Sequence, residues 1–184
     1  GSLESATGKE LWQRIDSEIL EAIGENDKAQ TPRKGFSSSS YLKADDDVIY
    51  FAGPQRTNLV AISAATGDLL WKHPHGNYQL ILREDGVYAM GRTETSKKFD
   101  RISGEILADL QCFRGNCTRA TATVDSIFTR GYRHTGTQRI RLDDQQVNSA
   151  RIGLMRPACQ DGVVVAHGQL YWGPGHRAGL DRRK

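Results

Sequence analysis

The chain holds only three cysteines, none adjacent to another, and an odd number cannot all pair among themselves. It has no apolar run near the roughly 20 residues that a membrane-crossing helix needs, so no membrane span is expected. The formal charge of +3 comes from scattered arginines, apart from Arg177 and the Arg182-Arg183-Lys184 tail. A nucleic-acid face would show a denser basic stripe with stacking aromatics, and no such partner is expected. No Gly-rich phosphate loop, metal-binding helix motif or Ser-His-Asp order occurs. No signal peptide is visible, which says nothing about where the protein resides. Aromatic residues make up only 8% of the chain, yet their placement is regular.

Four short apolar segments each carry an aromatic and run into a glycine: 48–53, 87–91, 127–131 and 170–173. Their markers Tyr50, Tyr88, Phe128 and Tyr171 follow one another at 38, 40 and 43 residues. Strand-rich repeats of about 40 to 50 residues point to a β-propeller. A second motif keeps step with the first. Ala65-Thr66-Gly67-Asp68-Leu69-Leu70-Trp71 recurs as Ala6-Thr7-Gly8-Lys9-Glu10-Leu11-Trp12, and more loosely as the segment 102–108 around Gly104. Gly8, Gly67 and Gly104 suit a turn that needs φ > 0, while Trp12 and Trp71 offer large apolar faces to pack between neighbouring units.

The expected fold is therefore all-β: a single propeller of four-stranded blades with one short helical insertion. Naming strands A to D from the axis outward, residues 3–13 form a C-D half-blade. Residues 14–40 hold the helix and a loop, full blades span 41–72, 77–110 and 117–152, an A-B half-blade spans 156–174, and 175–184 is a polar tail that reads as a truncation. The two half-blades are complementary, since closing a ring removes exposed edge strands. Three arrangements satisfy this count: a four-bladed ring, a homodimer completing eight blades, and a piece of a longer propeller. Ile15, Ile19, Leu20 and Ile23 recur at helical spacing from Asp16 to Ala29, with Asp16 or Ser17 as a cap and Gly24 near the end. That helix either decorates one face, docks on a partner or shields the central channel.

In a propeller the D-to-A and B-to-C loops share one face. Arg56, Asn77, Cys117, Arg119, Arg156 and Cys159 fall in such loops and make up the expected ligand-binding face. Cys117 precedes Phe128 by 11 residues and Cys159 precedes Tyr171 by 12, so the two are near-equivalent in adjacent blades. They could form a disulfide, bind a metal or stay unbonded. A disulfide needs Cα atoms about 4.4 to 6.8 Å apart, closer than inner strands of a wide ring would lie. Cys112 could instead pair with Cys117. Unbonded, buried thiols are the favoured reading. His73-Pro74-His75 lacks a third ligand at convincing spacing and reads as loop histidines rather than a zinc site. Asp45-Asp46-Asp47, just before a strand, reads as a solvated turn.

The segment Leu59-Val60-Ala61-Ile62-Ser63-Ala64-Ala65-Thr66-Gly67-Asp68-Leu69-Leu70-Trp71 resembles the repeat of PQQ-like, quinoprotein-type β-propeller proteins. Segments 53–56, 96–100, 116–121 and 155–162 resemble stretches of large bacterial members with this repeat. The resemblance implies an extracytoplasmic, cell-envelope location. It also admits two functions, because the family includes dehydrogenases that use pyrroloquinoline quinone with calcium and scaffolds with no cofactor, such as the lipoprotein of the outer-membrane assembly machine. The dehydrogenases are similar to one another in having a ring disulfide from adjacent cysteines, a Trp floor under the quinone and Glu, Asn and Asp around the metal. This chain has no adjacent Cys pair, and Trp172 lies in a strand where a core role is the better assignment. The expectation is a cofactor-free, non-catalytic module that binds a protein, peptide or small anionic ligand; a subunit or remnant of a quinoprotein-like oxidoreductase is the alternative.

Overall fold

The computed structural model describes residues 1–23, 41–53, 56–115, 119–132, 136–142, 149–152, 155, 157 and 162–172. Among these residues the chain is all-β apart from one short helix, and every sheet is antiparallel. The chain divides into two compact units, residues 1–111 and 112–184.

The first unit opens with a hairpin of β1 (Ser2–Leu3) and β2 (Glu10–Trp12), followed by α1 (Ser17–Ile23). Two four-stranded meanders follow. The first joins β3 (Tyr41–Ala44), β4 (Val48–Ala52), β5 (Asn58–Ser63) and β6 (Leu69–Pro74) in sequential order. The second joins β7 (Tyr78–Arg83), β8 (Gly86–Gly91), β9 (Lys97–Phe99) and β10 (Ile106–Asp109). In the second unit β11 (Thr121–Ala122), β12 (Ser126–Arg130), β13 (Thr137–Arg141) and β14 (Ser149–Ile152) make a third meander. A hairpin of β15 (Val163–Ala166) and β16 (Gln169–Trp172) forms its own two-stranded sheet.

The Thr/Ser-Gly motif is one loop built three times. Gly8, Gly67 and Gly104 have φ of 71°, 75° and 73°. In each loop the glycine N–H donates to the carbonyl four residues back: Glu4, Ser63 and Asp100. The residue that opens each loop donates in turn to Lys9, Asp68 or Glu105. The Thr or Ser before each glycine accepts from the backbone N–H two residues on, through Thr7, Thr66 and Ser103. A side-chain hydroxyl that mimics a backbone turn, next to a residue free to adopt φ > 0, explains the dipeptide.

Those glycines are also docking sites. Trp12 lies against Gly67, where an added Cβ would sit 2.6 Å from the indole ring, and its Nε1 donates to the carbonyl of Ala64 at 2.8 Å. Trp71 lies against Gly104 in the same way, 2.5 Å from a Cβ built there, and its Nε1 donates to the Arg101 carbonyl at 3.1 Å. In both cases the accepting carbonyl is three residues before the glycine. The indole at the end of one sheet thus covers the turn of the next, and each junction combines a large apolar contact with a satisfied N–H. The corresponding position after Gly104 is Ala108, so the second meander carries no such indole.

Around Trp71 the first unit has its main core. Phe99 stacks on the indole at 5.6 Å between centroids, Tyr50 tilts against it at 6.1 Å, and Tyr78, Leu80, Val87 and Ala89 of the second meander share the cluster with Val48, Ala52, Leu59 and Ala61 of the first. Strand β4 alternates buried and half-buried residues, as a strand between two neighbours does. The aromatic markers are cross-strand equivalents: Tyr50 faces Ala61, Tyr88 faces Lys98 and Phe128 faces Arg139. These three are buried, whereas the fourth, Tyr171, is 47% exposed. It belongs to a two-stranded sheet, with no further described strand hydrogen-bonded beyond β16 to cover it.

Three residues before each buried marker stands an aspartate in a tight hairpin. Asp47 pairs with Arg101 at 3.3 Å, and Asp125 pairs with Arg139 at 3.2 Å. Asp85 accepts from Tyr88 Oη at 2.7 Å, Lys98 Nζ at 2.8 Å and Arg83 Nε at 3.1 Å. Burial raises the Asp85 pKa, but these three donors outweigh it and hold the carboxyl at about 2. Asp45 Oδ1 accepts from the N–H groups of Asp47 and Val48, so the acidic triplet is a hairpin turn braced by Arg101.

Helix α1 differs from its sequence pattern. Ile19 and Ala22 are buried, and Ala22 and Ile23 pack with Val60 and Ile62 of β5, while Ile15 and Leu20 are 77% and 55% exposed. Ile15 precedes the helix, and Leu20 is turned one residue away from the stripe 19, 22, 23. Gly24 and the remainder of the expected helix lie outside the described residues. No helix among the described residues is long and apolar enough to cross a membrane.

Candidate functional site

Antiparallel meanders put the Gly67 and Gly104 turns at one end of their sheets and the β4–β5, β6–β7 and β8–β9 loops at the other. Backbone bonds lock these three loops. The Gly53 N–H donates to the Gly76 carbonyl at 2.8 Å, and His75 N–H donates to Thr57 at 2.9 Å. Gly91 N–H donates to Ser96 Oγ at 3.1 Å, and Leu110 N–H donates to the Ser96 carbonyl at 2.8 Å. A polar cluster stands on this frame.

Its centre is Lys97, mostly buried, whose Nζ donates to Thr95 Oγ1 at 2.8 Å and Asp109 Oδ2 at 3.3 Å and lies 3.7 Å from Glu94 Oε2. Thr95 also donates to Asp109 at 2.7 Å. Glu94 Oε1 is 3.5 Å from His75 Nε2, which joins the β6–β7 loop to the β8–β9 loop. Burial raises the Asp109 pKa, yet hydrogen bonds from Thr95, the Gln111 N–H and Lys97 lower it overall, so its charge is held at neutral pH. Under the cluster, His73 packs edge-on to Phe99 at 5.0 Å and beside Tyr78 at 6.1 Å. Burial, then the charges of Lys97 and His75, push the His73 pKa down against the pull of Glu94. Burial drives the Tyr78 hydroxyl up, with Glu94 and Asp109 adding to it.

Two of the residues expected on this face are here. Asn77 is half-buried in the β6–β7 loop, and Arg56 sits in the β4–β5 loop beside Gly76. Arg56 turns away from solvent: its Nη1 donates to the Ile23 carbonyl at 3.0 Å, and Asn58 Nδ2 donates to the Ala22 carbonyl at 3.2 Å. Through these two bonds Arg56 and Asn58 anchor α1 to β5 and the loop before it. Desolvation accordingly lowers the guanidinium pKa. Arg56→Met keeps the stem and removes the donor; it is expected to cost about 0.5–1 kcal/mol and to speed hydrogen exchange selectively in α1.

Arg119 belongs to the second unit, exposed just before β11, with its carbonyl against Gly162. Cys117, Arg156 and Cys159 lie outside the described residues. Cys112 is buried. Trp172 is half-buried and donates to Thr137 Oγ1 at 2.7 Å, in a strand as its sequence suggests. His73 and His75 are neighbours at 6.3 Å between rings, and among the described residues no group of three or more His, Cys, Asp and Glu is placed to hold a metal ion.

Glu94, Thr95 and Asp109 belong to no motif legible in the sequence, and Lys97 is touched there only by the resemblance of segment 96–100. A signal exists for Glu94, which follows Tyr88 by six residues as Arg56 follows Tyr50. The repeat places both in the loop between the second and third strands of their sheets. Comparison with protein-family models gives no match, and neither does comparison with curated proteins.

Proposed function

We propose that the protein is a β-propeller-type binding module without catalytic machinery, which presents the β4–β5, β6–β7 and β8–β9 loops to a protein or peptide. Three meanders at a period near 40 residues, the thrice-repeated turn and the indole-on-glycine junctions support propeller blades. In this reading β1–β2 is an outer half-blade and β15–β16 an inner one, each completed within one ring, across two copies or by blades of a longer propeller. The resemblance to quinoprotein-type repeats supports the same architecture and a cell-envelope location.

One observation carries the functional reading: the Glu94 carboxylate and His75 imidazole reach solvent, with the Lys97 ammonium beneath them, on loops fixed by backbone hydrogen bonds. Groups held in place before binding lose little entropy on binding. Mixed charge, with the Arg56 guanidinium committed to α1, favours a peptide surface over a small anion as the ligand. The quinone cofactor is left out because the adjacent cysteines of the dehydrogenases are missing from the sequence.

Selection from a phage-displayed library of random dodecapeptides tests this. Enriched peptides are expected to bind wild-type protein and to lose about tenfold in affinity, roughly 1.4 kcal/mol, toward the Asn77→Ala/Glu94→Gln double variant in calorimetry. Failure to enrich any sequence, or equal binding to both proteins, would sink the assignment.

A further inference from the structure

His73 is the titratable group that the loop cluster does not employ. Strand alternation points it from β6 to the same side as Trp71, so both rings meet Phe99 of β9 across the junction of the two meanders. Its Nε2 is shut off from solvent and has no hydrogen-bond partner, and Tyr78 Oη beside it is in the same condition. The charged groups facing it are His75 from the β6–β7 loop, Glu94 from the β8–β9 loop and Lys97 from β9. Asp109 of β10 is engaged by Lys97 and Thr95. On the β5 side its cross-strand neighbour is Leu59, which is apolar.

We propose that His73 is a pH-sensitive latch between the β3–β6 and β7–β10 sheets: neutral, it lets the sheets close over it, and protonated, it loosens β6 from β7 and β9. A charge at Nε2 would be buried among Phe99, Tyr78 and Leu59, next to the like charge of Lys97, with Glu94 already shared between Lys97 and His75. The direction follows from linkage. A histidine whose folded pKa lies below its unfolded value near 6.5 binds more protons when unfolded. Its contribution is complete above about pH 6.5 and is lost as pH falls from there through the folded value. Because the β6–β7 loop is part of the polar face, mild acid would disorder that face first.

Two NMR measurements on the whole chain decide this. The His73 imidazole in wild-type protein is expected to titrate below about 6.5, and amide protection factors in β6 and β7 are expected to fall several-fold between about pH 7.5 and pH 5. His73→Phe, which fills the same slot against Phe99, should flatten that pH dependence, while His167→Asn, at an exposed position of the second unit, should leave it in place. A His73 titration above about 6.5 overturns the proposal even if no variant folds. So does β6 protection that is independent of pH, or a pH dependence that survives in a folded His73→Phe protein.

Discussion

Gly104→Ala is expected to lower the unfolding free energy by about 3 kcal/mol, read as a shift of the urea midpoint at unchanged slope. Two costs add. Residue 104 has φ of 73°, where an alanine is strained by about 1–2 kcal/mol. The new methyl would also lie 2.5 Å from Cγ and Cδ2 of Trp71, forcing the indole off the turn, and overpacking of this kind costs about 1–3 kcal/mol. Gly8 provides the internal control. It has nearly the same φ, 71°, in the same loop, but nothing lies within 4 Å of a Cβ built there. Gly8→Ala should therefore show only the backbone part, about 1 kcal/mol.

Trp71→Ala should cost still more, about 3–5 kcal/mol, the range for removing a buried tryptophan. The residue is 8% exposed, stacks on Phe99, touches Tyr50 and hydrogen-bonds the Arg101 carbonyl, so truncation empties the centre of the first unit's core. Against a typical stability of about 5–15 kcal/mol, either variant removes a large share. Trp12, in the same relation to Gly67 but only half-buried, should cost clearly less when truncated. Far-UV circular dichroism suits these titrations because Trp71→Ala removes a fluorophore.

Much of the strand pattern was legible because its signals are local. The marker aromatics and Thr/Ser-Gly dipeptides are set by strand alternation and by a turn whose hydrogen bonds close within a few residues, so they survive as a spacing. The use of the glycine as a floor for an indole 33 or 55 residues earlier was not legible, since nothing local to Gly104 or Gly67 names Trp71 or Trp12. Helix α1 shows a different stripe from its spacing for a related reason: the face that buries is chosen by Val60 and Ile62 of β5, and Ile15 precedes the helix altogether. At the loop face, Arg56 and Asn77 do lie in loops. Counting from the markers could not reveal that α1 lies beside them, where the backbone carbonyls of Ala22 and Ile23 draw Asn58 and Arg56 inward. Lys97 was hidden because a lysine in a strand reads as solvated, whereas here Thr95, Asp109 and Glu94 compensate its burial.

The turn glycine of one sheet and the tryptophan of the preceding sheet form a single docking unit, and a double-mutant cycle on Trp71 and Gly104 tests this most directly. In the Trp71→Ala background the added cost of Gly104→Ala should drop to that of Gly8→Ala, a coupling of about 1 kcal/mol or more. Costs that add to within about 0.5 kcal/mol would contradict the account.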